Sequence, residues 1–213
     1  MKSETPKDAY SLILDAIDRG EYTPGSALVE SELAGRFNFS RTPIREALQR
    51  LETQNVLRRD GRSLIVSSLS HDQIGELYVV RGELEGLAAR LAAQHAAPEE
   101  VALLQDMVGR DRALVGKPQE MSRANKRFHN QIHLASHNRY LIQQLSSIYR
   151  AMALLVQTTL EERSRAKEAQ AEHEAIVAAI AARDGEAACL AIRNHISRAY
   201  QTRLEIDLET QNG

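Results

Sequence analysis

The spacing of apolar positions divides the chain near residue 70. Before that point the apolar runs are short, and Pro24, Gly25, Pro43 and Gly61 punctuate them. Residues 8–19 place Leu12, Ile13, Ala16 and Ile17 at helical spacing, and Gly20 is a helix stop. Tyr22-Thr23-Pro24-Gly25 is turn chemistry. Leu33, Ala34 and Phe37 form the apolar face of a second short helix, and Asn38-Phe39 makes a tight connection. Ser40 is placed to cap a third helix, Arg41 to about Gln54, with Pro43 tolerated in its first turn. Ile44, Ala47, Leu48 and Leu51 are the buried stripe of that helix, which leaves Arg41, Thr42, Arg45, Glu46 and Gln49 outward. Val56 to Arg59, Asp60-Gly61 and Leu64 to Val66 then read as a β-hairpin with an Asp-Gly turn.

Beyond His71 the text is long and helical, rich in Ala, Leu, Glu, Arg and Gln. Six stretches are expected, about 71–95, 98–115, 118–135, 138–162, 165–183 and 185–209. Pro98, Gly116 to Pro118, His137-Asn138 and Asp184-Gly185 separate them. The expected fold is therefore mainly α. Residues 1–70 read as a winged helix-turn-helix with a small β-hairpin, and 71–213 as an antiparallel all-α helical bundle.

Composition changes this picture in three places. Cys189 is the single cysteine, which excludes a disulfide scaffold and a cysteine-based zinc ribbon and fits a reducing, cytoplasmic setting. No apolar run approaches the roughly 18–20 residues that span a bilayer, and the N-terminus has no apolar signal-peptide core, so no membrane partner is expected. The net charge of −2 argues on average against nucleic acid, but the average conceals a segregated pattern. Residues 36–62 hold seven arginines against three acids, and all seven histidines lie beyond residue 70.

That segregation gives each part a chemistry. A recognition helix enters the major groove with its first residues at base edges, here Arg41, Thr42 and Arg45. Arginine can donate to guanine O6 and N7 together, while Arg58, Arg59 and Arg62 on the hairpin suit phosphates. The alternative is a small helical domain with a solvated arginine face. With 4% aromatics there is no stacking platform for single strands. In the second part, Asn125 and His129 share one helix face at i,i+4, and His173 and His195 lie on two further helices. Three histidines and one oxygen ligand from three helices could hold a divalent metal such as Zn or Ni in a bundle core. Spacing leaves alternatives open, since His133 and His137 continue the i,i+4 series from His129. A metal-dependent enzyme of small organic acids is the competing function. It lacks a placed general base, because Glu172 and Glu174 flank His173 without any HExxH-type arrangement. Arg81 can grip a carboxylate or pair with Glu85 at i+4. Cys189 reads as a small apolar filler.

Leu28 to Ala34, Ser40 to Leu48 and Arg50-Leu51-Glu52, with Gly20 and Pro24-Gly25 upstream, resemble the GntR family of bacterial transcription regulators over roughly residues 8–66. The resemblance implies that Ser40, Arg41, Thr42 and Arg45 contact DNA. Relatives often carry a polar or basic residue at Ser31, and a second wing glycine at Ser63. Arg81 to Glu85, Asn125 to His129, Ala135 to Asn138, His173 to Ile176 and Asp184 to Ala187 resemble the FCD effector domain of the FadR-type branch. Six helices look like its VanR-type subgroup. This second resemblance implies metal ligands Asn125, His129, His173 and His195, with His133 and His137 outside the set, and an effector contact at Arg81. It further implies a homodimer on a palindromic double-stranded operator, a repressor released by a small carboxylic acid. The family's first ligand is often Asp. The neutral Asn125 leaves the site one unit more positive, which favours an anionic effector.

Overall fold

The computed structural model describes residues 8–155, 158–161 and 163–212. It divides into two compact units, Met1–His71 with Ser147–Gln157, and Asp72–Ser146 with Thr158–Gly213. In the first unit α1 (Ala9–Asp18), α2 (Glu30–Phe37) and α3 (Arg41–Thr53) precede an antiparallel hairpin, β1 (Leu57–Asp60) and β2 (Ser63–Val66). Asp8 caps α1 through its side chain, which accepts from the Ser11 N–H. Asn38 closes α2 in the left-handed region, which Asn tolerates better than most residues and which lets the chain reverse into α3. Ile13, Ile17, Leu33, Ile44, Leu48, Leu51, Leu57 and Val66 form one core, so the buried stripe expected on α3 is the stripe observed.

Two local expectations shift. Ser40 does occupy the N-cap of α3 with extended backbone, but its hydroxyl makes no capping bond. The hairpin turn is Gly61-Arg62, because Asp60 pairs with Ser63 inside the ladder. Gly61 has φ +58°, and among the described residues Arg62 is not one of those with positive φ, the pattern of a two-residue turn that puts glycine first. Arg62 consequently stands at the wing tip, exposed.

The second unit is built from α4 (His71–His95), α5 (Pro98–Asp111) with a 3-10 turn at Arg112–Leu114, α6 (Pro118–Ala135), α7 (Arg139–Met152), α8 (Arg163–Ala181) and α9 (Gly185–Asn212), the last part of α7 belonging to the first unit. Ala88, Ala92, Leu104, Phe128, Ile132, Ile176, Ile180, Ala188 and Ile192 make its main core. Small residues let α4 and α9 approach closely: a Cβ on Gly86 would lie 3.0 Å from Cys189 Sγ and 3.1 Å from Arg193 Cγ. Cys189 is buried there and in no disulfide. Helix α7 ends at Met152, not at 162 as the pattern suggested. The N–H groups of Leu154 and Leu155 reach back only three residues, to Ala151 and Met152, which tightens and ends the helix. Leu154 is then buried in the core of the first unit, a tertiary contact that overrides local propensity. The hinge between α8 and α9 lies at Arg183 (φ +61°), with the Asp184 carboxylate accepting from the Ala187 N–H to start α9.

Candidate metal centre and candidate nucleic-acid interface

Helices α6, α8 and α9 bring His129, His173 and His195 together. All three are buried, and their ligand nitrogens lie within 4.8 Å of one another. Phe128 stacks on His173 with ring centroids 4.2 Å apart, fixing that ring. Carboxylates fix the other two. His129 Nδ1 is 2.9 Å from Glu85 Oε2, and His195 Nδ1 is 2.7 Å from Glu172 Oε2. A carboxylate can only accept, so each Nδ1 carries the hydrogen and each Nε2 presents its lone pair. Those two Nε2 atoms face each other at 3.2 Å.

Burial settles the charge of these rings. It pushes the His173 pKa well below the ordinary histidine value, with His195 and His129 adding to the effect. It also lowers His195, to about 4, against the opposing pull of Glu172. His129 is lowered in the same way, again by burial and against Glu85. Burial works to raise Glu85, but His129 and His133 on its Oε2 outweigh that and hold it well below the usual carboxylate range. In Glu172, burial is likewise outweighed by hydrogen bonds from His195 and Arg165. The rings are thus neutral acceptors near pH 7, and two neutral lone pairs at 3.2 Å repel unless a cation sits between them.

The donor set fits such a cation. Two imidazoles on one Zn at about 2.0–2.1 Å each would hold their nitrogens about 2.8–3.4 Å apart, between right-angled and tetrahedral arrangements. The Nε2 of His173 and the Oδ1 of Asn125, one turn before His129 on α6, are buried with no hydrogen-bond partner among the described residues. Orphaned buried acceptors are costly and rare, and a metal would satisfy both. A second buried group, Glu85, His129 and His133, has the right elements for a metal as well. There, however, Glu85 Oε2 already accepts from His129 Nδ1 and from His133 Nε2 at 3.0 Å. That group is a hydrogen-bonded knot behind His129. His137 lies away from both, exposed and bonded to Glu100. Arg81 is buried on α4, and its Nε donates to Glu85 Oε1 at 3.4 Å, the i+4 arrangement that the sequence left as the alternative.

On α3 the outward residues are Arg41, Thr42 and Arg45, all exposed at the helix N-terminus beside Ser40. Glu30 of α2 holds Arg45 by two bonds, Nε to Oε2 at 3.1 Å and NH2 to Oε1 at 2.9 Å. Arg50 lies over the Tyr10 ring at 4.0 Å, and Arg59 pairs with Glu52. On the wing Arg58, Arg59 and Arg62 are all exposed, Arg59 while paired with Glu52 as Arg45 is with Glu30.

Residues 5–66 match the family described as bacterial regulatory proteins, gntR family, and residues 76–198 match the FCD domain. The chain belongs to the gntR family and carries an FCD domain. It is 33% identical to the HTH-type transcriptional regulator YdhC of Bacillus subtilis, over 62% of this chain and 61% of that one. It is 29% identical to the Nta operon transcriptional regulator of Aminobacter aminovorans, over 87% and 88%. Escherichia coli McbR has the same fold, with a TM-score of 0.78, 24% identity and coverage of 92% and 96%. The family consists of transcription regulators, not enzymes. In this gntR-family chain both carboxylates beside His173 are engaged: Glu172 with His195 and Arg165, and Glu174 with Arg112 at 2.8 Å. Neither is placed as a general base, which agrees with a family of regulators. Among the described helices none is long and apolar enough to cross a membrane.

The sequence reading assigned no role in the centre to Glu85, Glu172 or Arg165. Glu85 and Glu172 carried a signal, one as the i+4 neighbour of Arg81 and the other as the residue before His173. Arg165 carried only its spacing, two helical turns before His173 on the same face.

Proposed function

We propose that this chain is a ligand-responsive repressor of the bacterial cytoplasm. In this reading residues 1–70 bind a palindromic operator as one half of a homodimer, and 71–213 hold a divalent metal and an acidic effector. Ser40, Arg41, Thr42 and Arg45 read the major groove, and Arg62 follows the phosphate backbone. Asn125, His129, His173 and His195 hold zinc, nickel or a similar ion, which would supply a Lewis-acidic anchor for a small carboxylic acid. Arg81 stabilises negative charge on the α4 side. The reading rests above all on the two opposed Nε2 atoms of His129 and His195, 3.2 Å apart and each oriented by its own carboxylate. An effector changes DNA occupancy only if it binds the DNA-competent and DNA-incompetent arrangements with different affinity.

The test is quantitative footprinting on the DNA flanking its own gene, with metal-loaded protein, at two salt concentrations, with and without small carboxylic acids. A protected palindrome whose occupancy falls with one acid is expected. Binding no stronger than to unrelated duplex DNA would overturn the reading.

A further inference from the structure

Glu30, in the first turn of α2, carries a negative charge beside the recognition helix α3. When such a pair of helices docks, the first crosses the phosphate backbone while the second enters the major groove. An acid on that first helix, close to the phosphates, opposes binding through charge alone. The residues expected to reach DNA are otherwise neutral or cationic: Ser40, Arg41, Thr42, Arg45 and Arg62. The unfavourable charge needs an offsetting use, and the contacts of Glu30 supply one.

Glu30 meets Arg45 edge to edge. Arg45 Nε donates to Oε2 at 3.1 Å and NH2 to Oε1 at 2.9 Å, a paired arrangement that fixes the plane of the guanidinium as well as its position. Exposed pairs as a class contribute little to stability, and 62% of the Arg45 side chain is in solvent. What this pairing restricts is direction. A guanidinium has five N–H donors. The carboxylate takes one from Nε and one from NH2, along the edge they share. The outer edge remains, formed by NH1 and the second N–H of NH2, and it is the edge farthest along the side chain from the backbone. Its two donors match the paired acceptors O6 and N7 of guanine.

Arg41 lies one turn earlier on the same face, close enough to feel the Glu30 charge but not bonded to it. An arginine that is not held gives up rotamer freedom on binding, whereas Arg45 is already held before DNA arrives. We propose that Glu30 is the positioning residue that makes Arg45 a guanine reader, presenting the outer edge of the guanidinium to one guanine of each half-site. Glu30 thereby lowers affinity for any duplex through its charge and raises the preference for one base through Arg45. This rests on the reading of residues 1–70 as an operator-binding unit.

The test starts with selection from a randomised duplex library by the full-length, metal-loaded wild type. The selected duplex, the same duplex carrying 7-deazaguanine at each guanine in turn, and an unrelated duplex are then titrated against every variant. At one guanine per half-site, loss of N7 should weaken the wild type roughly tenfold, within the range for a bidentate arginine contact. Glu30→Ala should bind the unrelated duplex a few fold more tightly, yet lose most of its preference for the selected one and most of its response to 7-deazaguanine. Glu30→Asp keeps the charge and both oxygens, so it should stay nearer the wild type in both respects. In an Arg45→Ala background, Glu30→Ala should no longer change base preference but should still strengthen binding to the unrelated duplex. Circular dichroism checks that each variant is folded. A guanine preference that survives Glu30→Ala, or an equal loss on selected and unrelated duplexes, would overturn the proposal. A preference that rises would make Glu30 a lock on Arg45, which overturns it as well. Indifference of the wild type to every 7-deazaguanine would remove guanine as the base read. A wild type that selects no sequence at all would bring down the operator-binding reading itself, before any variant at Glu30 is tested.

Discussion

Glu172 and Glu174 flank His173 on one helix and carry the same charge, yet neutralising them should have opposite consequences. Glu172 accepts from His195 Nδ1 at 2.7 Å and from Arg165 NH2 at 2.7 Å, and its side chain is 15% exposed. Glu174 sits 39% exposed and is bonded to Arg112 and Gln170. Glu172→Gln keeps the shape and an acceptor oxygen, but removes the charge that makes the His195 ring a stronger donor to metal and fixes its tautomer. Loss of such an outer partner costs about tenfold to a hundredfold in metal affinity, or about 1.4–2.7 kcal/mol. Glu174→Gln should change metal affinity by less than about twofold, since only a solvent-screened pair is lost. The assay is competition for zinc against a chromogenic chelator on both purified variants, with circular dichroism to confirm the fold. Equal affinities for the two variants would refute the argument that carboxylate orientation makes His195 a ligand. A larger loss in Glu174→Gln would mean that the metal sits elsewhere.

Further outcomes follow from the same geometry. Asn125→Asp should tighten zinc binding and weaken anionic effectors, because a carboxylate replaces an orphaned amide oxygen and cancels one positive charge; a zinc titration and an acid titration of the variant read the two effects. His173→Ala should abolish stoichiometric zinc, whereas His137→Ala should leave it intact, since His137 is exposed on Glu100; elemental analysis of dialysed protein decides. Arg45→Ala should lose operator binding at an unchanged melting temperature. A salt slope smaller by about one would mark a lost phosphate contact, and relaxed sequence preference a lost base contact. Gly61→Ala should destabilise the wing by about 1–2 kcal/mol in chemical denaturation, since a Cβ there meets nothing within 4 Å and only the positive φ is strained.

What the sequence made legible was whatever depends on local periodicity. The buried stripe of α3 at Ile44, Ala47, Leu48 and Leu51 was readable because each residue's burial follows from its own helix. The end of α7 was not, because Leu154 is drawn out of helical register by a distant core, and a local pattern carries no trace of that. The hairpin turn slipped by one residue for a related reason. Asp-Gly suits one two-residue turn and Gly-Arg another, and the cross-strand pairing of Asp60 with Ser63 chooses between them.

The centre divides in the same way. Residue type and helical face brought Asn125 and His129 forward, and family resemblance preferred His173 and His195 to His133 and His137. Spacing could not have done so, since His133 is as buried and as close to His129 as a ligand would be. What distinguishes it is one oxygen: Glu85 Oε2 already accepts from His133 Nε2, whereas His173 Nε2 has no hydrogen-bond partner among the described residues. The same physics separates Arg81 from Arg165. Both are buried cations matched by a carboxylate, but Arg165 Nε and NH1 have no hydrogen-bond acceptor among the described residues, Glu168 standing 3.9 Å from NH1. Which buried group is spent and which is left over depends on three-dimensional hydrogen bonding, and no residue type, spacing or charge count encodes it.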